Sequence, residues 1–297
     1  MSATAHLEDR RRMVEDALSR ALPPESAWPA TIHRAVRYSL FAGGKRVRPL
    51  LALAAAETVG GAPEEVLPLA VAVEMVHTYS LIHDDLPCMD DDDLRRGKPT
   101  CHKVFGEAIA VLAGDALLTR AFHILAEVPP HWDGERLRRR VQALAILAEA
   151  AGTSGLIGGQ VEDLESEGKE VAPPALERLH RAKTGALLAA CVRGGAVLGG
   201  AGADDLARLE QYAGAVGLAF QIVDDILDAT EGALQLGKTA GKDHAAAKAT
   251  YVRVHGMETA RELSTDLLAQ AESALADMGP RAELLRLLAR LIVRRRA

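Results

Sequence analysis

From about residue 4 to residue 294 the apolar residues recur at intervals of three and four, and no apolar–polar alternation runs beyond a few residues. Helices are therefore the only regular element the chain can build at length. Alanine and leucine, both strong helix formers, dominate a hydrophobic fraction of 48%, and aromatic residues make up only 3%. An all-α fold is expected. Helices are predicted near 4–21, 30–42, 47–59, 63–86, 105–127, 135–151, 155–166, 173–193, 203–217, 218–230, 243–254, 257–278 and 281–294. Pro23-Pro24, Gly43-Gly44, Gly60-Gly61, Pro129-Pro130, Pro173-Pro174, Gly199-Gly200 and Gly279-Pro280 punctuate them. No GxGxxG follows a strand-like run, no repeat of 20–50 residues is visible, and no linker divides the chain. Residues 1–297 read as one domain, a large helical bundle around a central cavity.

The net charge of −6 argues against a general nucleic-acid binder. Its distribution says more. Acid concentrates at residues 84–93, and base at Lys45–Arg48, Arg95–Lys98 and the 294–296 tail. Alternating clusters of this kind suit a site that holds anions through metal bridges. Cys88, Cys101 and Cys191 form no CxxC pair, so free thiols in a reducing compartment are expected. Residues 1–12 are polar and carry no apolar signal core, and apolar runs such as 50–56 and 186–192 are short. A cytoplasmic protein without a membrane span is the expectation.

Two acidic motifs stand 140 residues apart, Asp84 to Asp224. In the second, Asp224 and Asp228 are i,i+4 on one helix face, Asp225 adjoins them, and Gln221 lies one turn earlier. Carboxylates packed this closely repel unless a divalent cation holds them. All-oxygen ligands select magnesium or manganese over zinc. In the first motif, Asp84-Asp85 is separated from Asp90 by Pro87. Proline disfavours helical geometry at Leu86, so the chain should leave the helix there and swing Asp90 back toward Asp84.

Basic groups accompany the acids. Gly43-Gly44 precedes Lys45, Arg46 and Arg48 at a helix start, a natural phosphate site. Arg95 and Arg96 follow the acid run, and His77 stands two helical turns before Asp84. Lys183-Thr184 sits mid-helix, where a lysine is costly to bury without an anion. Lys238 and Lys248 flank a Gly-Lys loop that could close over a diphosphate. Each element has a plain alternative as a solvated helix end, a basic surface turn or a core histidine. It is their combination that points to metal-held diphosphate chemistry.

The run from Glu74 through His77, Asp84, Asp85 and Pro87 to Arg95-Arg96-Gly97-Lys98 resembles the first aspartate motif of short-chain trans-prenyl diphosphate synthases. Phe220-Gln221 with Asp224, Asp225 and Asp228 resembles the second, and Gly43-Gly44-Lys45-Arg46, Gly159-Gln160 and Lys183-Thr184-Gly185 fall in the family's order. Within that family the chain looks like the bacterial farnesyl diphosphate synthases. This resemblance implies that Lys45, Arg48, His77 and Arg96 bind isopentenyl diphosphate. It implies that Arg95, Lys183, Gln221, Lys238 and Lys248 bind the allylic diphosphate, dimethylallyl or geranyl. Asp84, Asp90 and Asp224 would lead a three-magnesium cluster, with Asp85, Asp225 and Asp228 contributing directly or through water. Thr184 and Gln221 would stabilise the carbocation, and the family suggests a homodimer.

The resemblance also bears on product length. Tyr79 and small Ser80 lie five and four residues before Asp84. At ~1.5 Å per residue Tyr79 stands roughly 7.5 Å along the helix, although five residues also turn it about 140° from Asp84. An aromatic there implies a fifteen-carbon product, farnesyl diphosphate; geranylgeranyl (C20) and geranyl (C10) diphosphate are the alternatives. A class I terpene cyclase would not need the Lys45/Arg48/His77 cluster, a metal phosphohydrolase using His83 would need further histidine ligands, and a non-catalytic partner subunit would be expected to have lost aspartates.

Overall fold

The computed structural model describes residues 2–166, 168–169, 171–235 and 250–294. The chain opens with α1 (Ala3–Ala21), α2 (Ala30–Leu40), α3 (Val47–Thr58) and α4 (Pro63–Asp84). A two-residue hairpin, β1 (Leu94–Arg95) with β2 (Lys98–Pro99), precedes α5 (Cys101–Phe105) and α6 (Glu107–Ala126). Then come α7 (Gly134–Ala151), α8 (Leu156–Ser166), α9 (Pro173–His180), a π-helical turn (Arg181–Gly185) and α10 (Ala186–Gly199). The long α11 (Ala203–Gln235), α12 (Tyr251–His255), α13 (Met257–Ala274), a 3₁₀ turn (Ala276–Ala282) and α14 (Glu283–Val293) complete the fold.

α4 begins on Pro63 with Glu64 and Glu65 in its first turn, a start favoured by proline's fixed φ and by the helix dipole. It is apolar nearly all round, so it is buried between α3, α6 and α10 rather than lying on the surface. Leu69, Val73, Met75 and Val76 are fully buried, each side chain contributing about 1.5–3 kcal/mol. α10 lies against α3, α7 and α11, and α11 packs on α13, so a central layer carries both acidic motifs.

The observed elements differ from the expected ones at informative places. The predicted 105–127 helix is broken at Gly106, whose φ of 84° only glycine adopts readily. The predicted 173–193 helix contains the π turn. The predicted 203–217 and 218–230 helices are one. Gly217 does not end the helix; a Cβ there would sit 3.3 Å from the Gly185 Cα, so glycine lets α11 approach the π turn. The expectation of apolar runs too short for a bilayer is also corrected. α4, α6 and the stretch Gly134–Ser166 are long and apolar enough to cross one, by length and composition. In the fold, 67% of the α4 window is buried inside the protein. Cys88 is exposed, Cys101 and Cys191 are buried, and all three are free thiols.

Candidate active site

The first motif turns back on itself as Pro87 requires. α4 ends at Asp84, and the Asp90 N–H donates to the Asp84 carbonyl at 2.8 Å. Burial pushes the Asp84 carboxyl up to about 6; Lys183 and Arg95 oppose the rise, and Asp90 and Asp85 add to it. Asp85 is buried and accepts from Arg95, whose Nε stands 2.9 Å away and whose guanidinium also reaches Asp92. Arg95, expected on the allylic diphosphate, is thus held by the motif's own acids.

The second motif repeats this division of labour. Asp225 is buried, accepting from the Tyr251 N–H at 2.8 Å and the Gln221 amide at 3.0 Å, and burial pushes its carboxyl up to about 6. Asp224 is half-buried and Asp228 exposed. In each Asp-Asp pair the second member is bonded into the fold and the first is the less enclosed.

The π turn joins the two motifs. Thr184 Oγ1 donates to Gln221 Oε1 at 2.9 Å, while Lys183 Nζ meets Asp163 Oδ2 at 2.5 Å and lowers the pKa of Asp84 on α4. Gly159 makes this possible, because a Cβ there would fall 2.2 Å from the Lys183 backbone nitrogen. π turns are rare and recur at functional sites. Sequence reasoning found Lys183, Thr184 and Gln221 but missed Asp163, the half-buried acidic partner a mid-helix lysine demands.

Around His77 is a group of cations. His77 is held well below its usual pKa by burial, then by Arg48, Arg96, Arg95 and Arg46. The Arg96 Nη1 donates to the Gly43 carbonyl, tying β1–β2 to the glycine turn. Arg48 lies 5.6 Å over the Phe220 ring, linking the cations to α11. Lys45 is exposed in the same turn. Arg46, which the sequence grouped with the phosphate-binding cations, points inward. It is 2% exposed, in left-handed backbone (φ 51°), and bonded to Glu15, Glu74 and the Leu40 carbonyl. Burying one arginine between two acids satisfies all three groups and leaves nothing for a ligand. Lys238 and Lys248 lie outside the described residues.

Tyr79 is buried and meets the His83 ring edge-on at 5.7 Å. His83 in turn contacts the Val111 carbonyl at 3.0 Å and packs on Gly114, so both rings occupy the face of α4 turned to α6. Ser80 donates to the His77 carbonyl at 2.9 Å.

Residues 29–283 match the family described as polyprenyl synthetase. The chain belongs to that family. Its relatives include a heterodimeric geranylgeranyl pyrophosphate synthase large subunit of Arabidopsis thaliana, chloroplastic, 52% identical over 91% of this chain and 73% of that protein. A chloroplastic geranylgeranyl pyrophosphate synthase of Catharanthus roseus is 51% identical over 85% of this chain and 70% of its own length. Among solved structures, an FPP/GFPP synthase from Zymomonas mobilis superposes with a TM-score of 0.86 at 40% identity, covering 98% of both chains. A geranylgeranyl pyrophosphate synthetase from Pyrococcus horikoshii gives 0.86 at 31%, covering 99% of this chain and 98% of that one. The polyprenyl synthetase fold is all-α, as expected, and this member is a trans-prenyltransferase.

Proposed function

We propose that this chain condenses allylic diphosphates with isopentenyl diphosphate to make geranylgeranyl diphosphate. The observation that carries the condensation is the π turn, whose neighbouring Lys183 and Thr184 act on opposite aspartate motifs. Relatives about 50% identical that bear the geranylgeranyl name support the twenty-carbon product over the fifteen-carbon one that Tyr79 led us to expect. Farnesyl diphosphate is the second reading, favoured by buried Tyr79.

Asp84, Asp90, Asp224 and Asp228 fit magnesium, because they offer only oxygen and because burial raises the pKa of Asp84 among like charges. Magnesium bound there supplies positive charge for the departing diphosphate. Arg48, His77 and Arg96, with Lys45 at the rim, bind isopentenyl diphosphate, His77 as a neutral hydrogen-bond donor. Lys183 draws the allylic diphosphate toward the aspartates. The allylic C–O bond breaks with its electron pair leaving on the diphosphate, the isopentenyl double bond forms the new C–C bond, and a proton passes to the released pyrophosphate to give the longer allylic diphosphate. The Thr184 and Gln221 oxygens present dipoles to the cation without trapping it covalently. The described bundle would act as a single domain in the cytoplasm. Exposed Val111 and Leu112 on α6, Val141 on α7 and Val161 on α8 suit a second copy.

The test is to incubate the chain with magnesium, isopentenyl diphosphate and dimethylallyl, geranyl or farnesyl diphosphate, then size the dephosphorylated alcohols. A dominant twenty-carbon alcohol supports the reading. A fifteen-carbon alcohol replaces it with the Tyr79 reading, and no condensation rejects both.

A further inference from the structure

At the end of the acid run, past Asp90, lies a group that the condensation does not use. One carboxylate oxygen each of Asp91 and Asp93 and a ring nitrogen of His102 lie within 4.8 Å of one another. Both aspartates are exposed, whereas His102, on α5, is only 6% exposed. Its hydrogen bonding favours one tautomer. Thr100 Oγ1 donates its hydrogen to the Asp92 carbonyl at 2.8 Å, so at 3.1 Å from His102 Nδ1 it can only accept. The Nδ1–H tautomer fits that bond and leaves Nε2 a lone pair. That Nε2 is buried and has no hydrogen-bond partner. A buried polar atom left so is costly unless something binds it.

We propose that Asp91, Asp93 and the His102 imidazole form a second divalent-metal site, differing in its donors from the neighbouring diphosphate centre and suited to zinc-class ions. The donor set differs from that of the aspartate motifs. One imidazole nitrogen with two carboxylates is a zinc or cobalt arrangement, whereas magnesium prefers oxygen alone. Thr100 stands behind the imidazole as its orienting partner, the usual support for a ligating histidine. Backbone bonds hold the arrangement: Asp91 N–H to the Leu86 carbonyl at 3.1 Å and Thr100 N–H to the Asp93 carbonyl at 3.0 Å. Lys103 Nζ rests 2.6 Å from Asp93 Oδ1, so the site already draws a cation, and a metal ion would displace it. An ion there clamps the 91–93 segment to α5. It thereby fixes a loop with Asp90 at one end and Arg95 and Arg96 at the other.

The experiment titrates the metal-stripped full chain with Co²⁺ in a large excess of Mg²⁺ and follows visible absorption. One equivalent should bind with ligand-field bands and be displaced by Zn²⁺. Asp91→Asn with Asp93→Asn, a surface change, should weaken binding by about 10–100-fold, as should His102→Gln with its fold checked by circular dichroism. Lys103→Met should tighten binding, and Asp224→Asn should leave it unchanged. Absence of Co²⁺ uptake above the Mg²⁺ background would overturn the site. So would uptake indifferent to His102→Gln, or uptake lost in Asp224→Asn.

Discussion

Thr184 and Gln221 share a hydrogen bond of 2.9 Å, and through it the π turn is fastened to the second aspartate motif, since the same Gln221 side chain donates to Asp225. Thr184→Val keeps the shape and removes the donor. We expect a stability loss of about 1 kcal/mol and a kcat lower by roughly tenfold. Denaturant midpoints and steady-state kinetics read the two. An unchanged kcat would place the hydroxyl outside the reaction.

Arg46 and Lys45 are neighbours with opposite roles. Arg46→Ala leaves Glu74, itself buried, without its partner and should cost about 3–5 kcal/mol. Lys45→Ala, at an exposed position, should stay within about 0.5 kcal/mol. It should raise KM for isopentenyl diphosphate more than for the allylic substrate.

The raised pKa of Asp84 means that burial penalises its charged form in the metal-free protein. Asp84→Asn removes that penalty. In EDTA at pH 8 the variant should melt higher than the parent, while turnover falls to background. A lower melting temperature in EDTA would show that Asp84 stabilises the fold without metal.

His180 gives a pH signature. Burial lowers its pKa to about 4 from an ordinary 6.5, with Lys183 adding to the shift and Asp163 opposing it, and its ring rests against Tyr251. The unfolded chain binds the proton first, so this contribution is complete above pH 6.5 and is lost as pH falls toward 4. It is on the order of 3 kcal/mol at most. The buried carboxylates Asp84 and Asp225 have the opposite slope, so the informative quantity is the difference between the parent and His180→Phe. That difference should shrink steadily from pH 6.5 to 4.5; a flat difference would mean that His180 titrates normally.

Much of this protein is written locally. Apolar spacing and the scarcity of strand formers dictate helices. Pro87 dictates the end of α4, and the return of Asp90 follows from it, because proline acts on its immediate neighbours. The carboxylate spacing of Asp224 and Asp228 likewise needs only helix geometry. What lies between elements is another matter. Nothing near Lys183 in sequence announces the π turn, because that turn answers to Gly159, Asp163 and Gly217 on other helices. Gly217 looked like a helix end and is instead a point of close approach. Arg46 looked like a phosphate ligand until Glu15 and Glu74 were placed around it. Local backbone chemistry was determined by the sequence alone. Which side chains face one another was decided only by packing, since burial and charge pairing depend on partners far away along the chain.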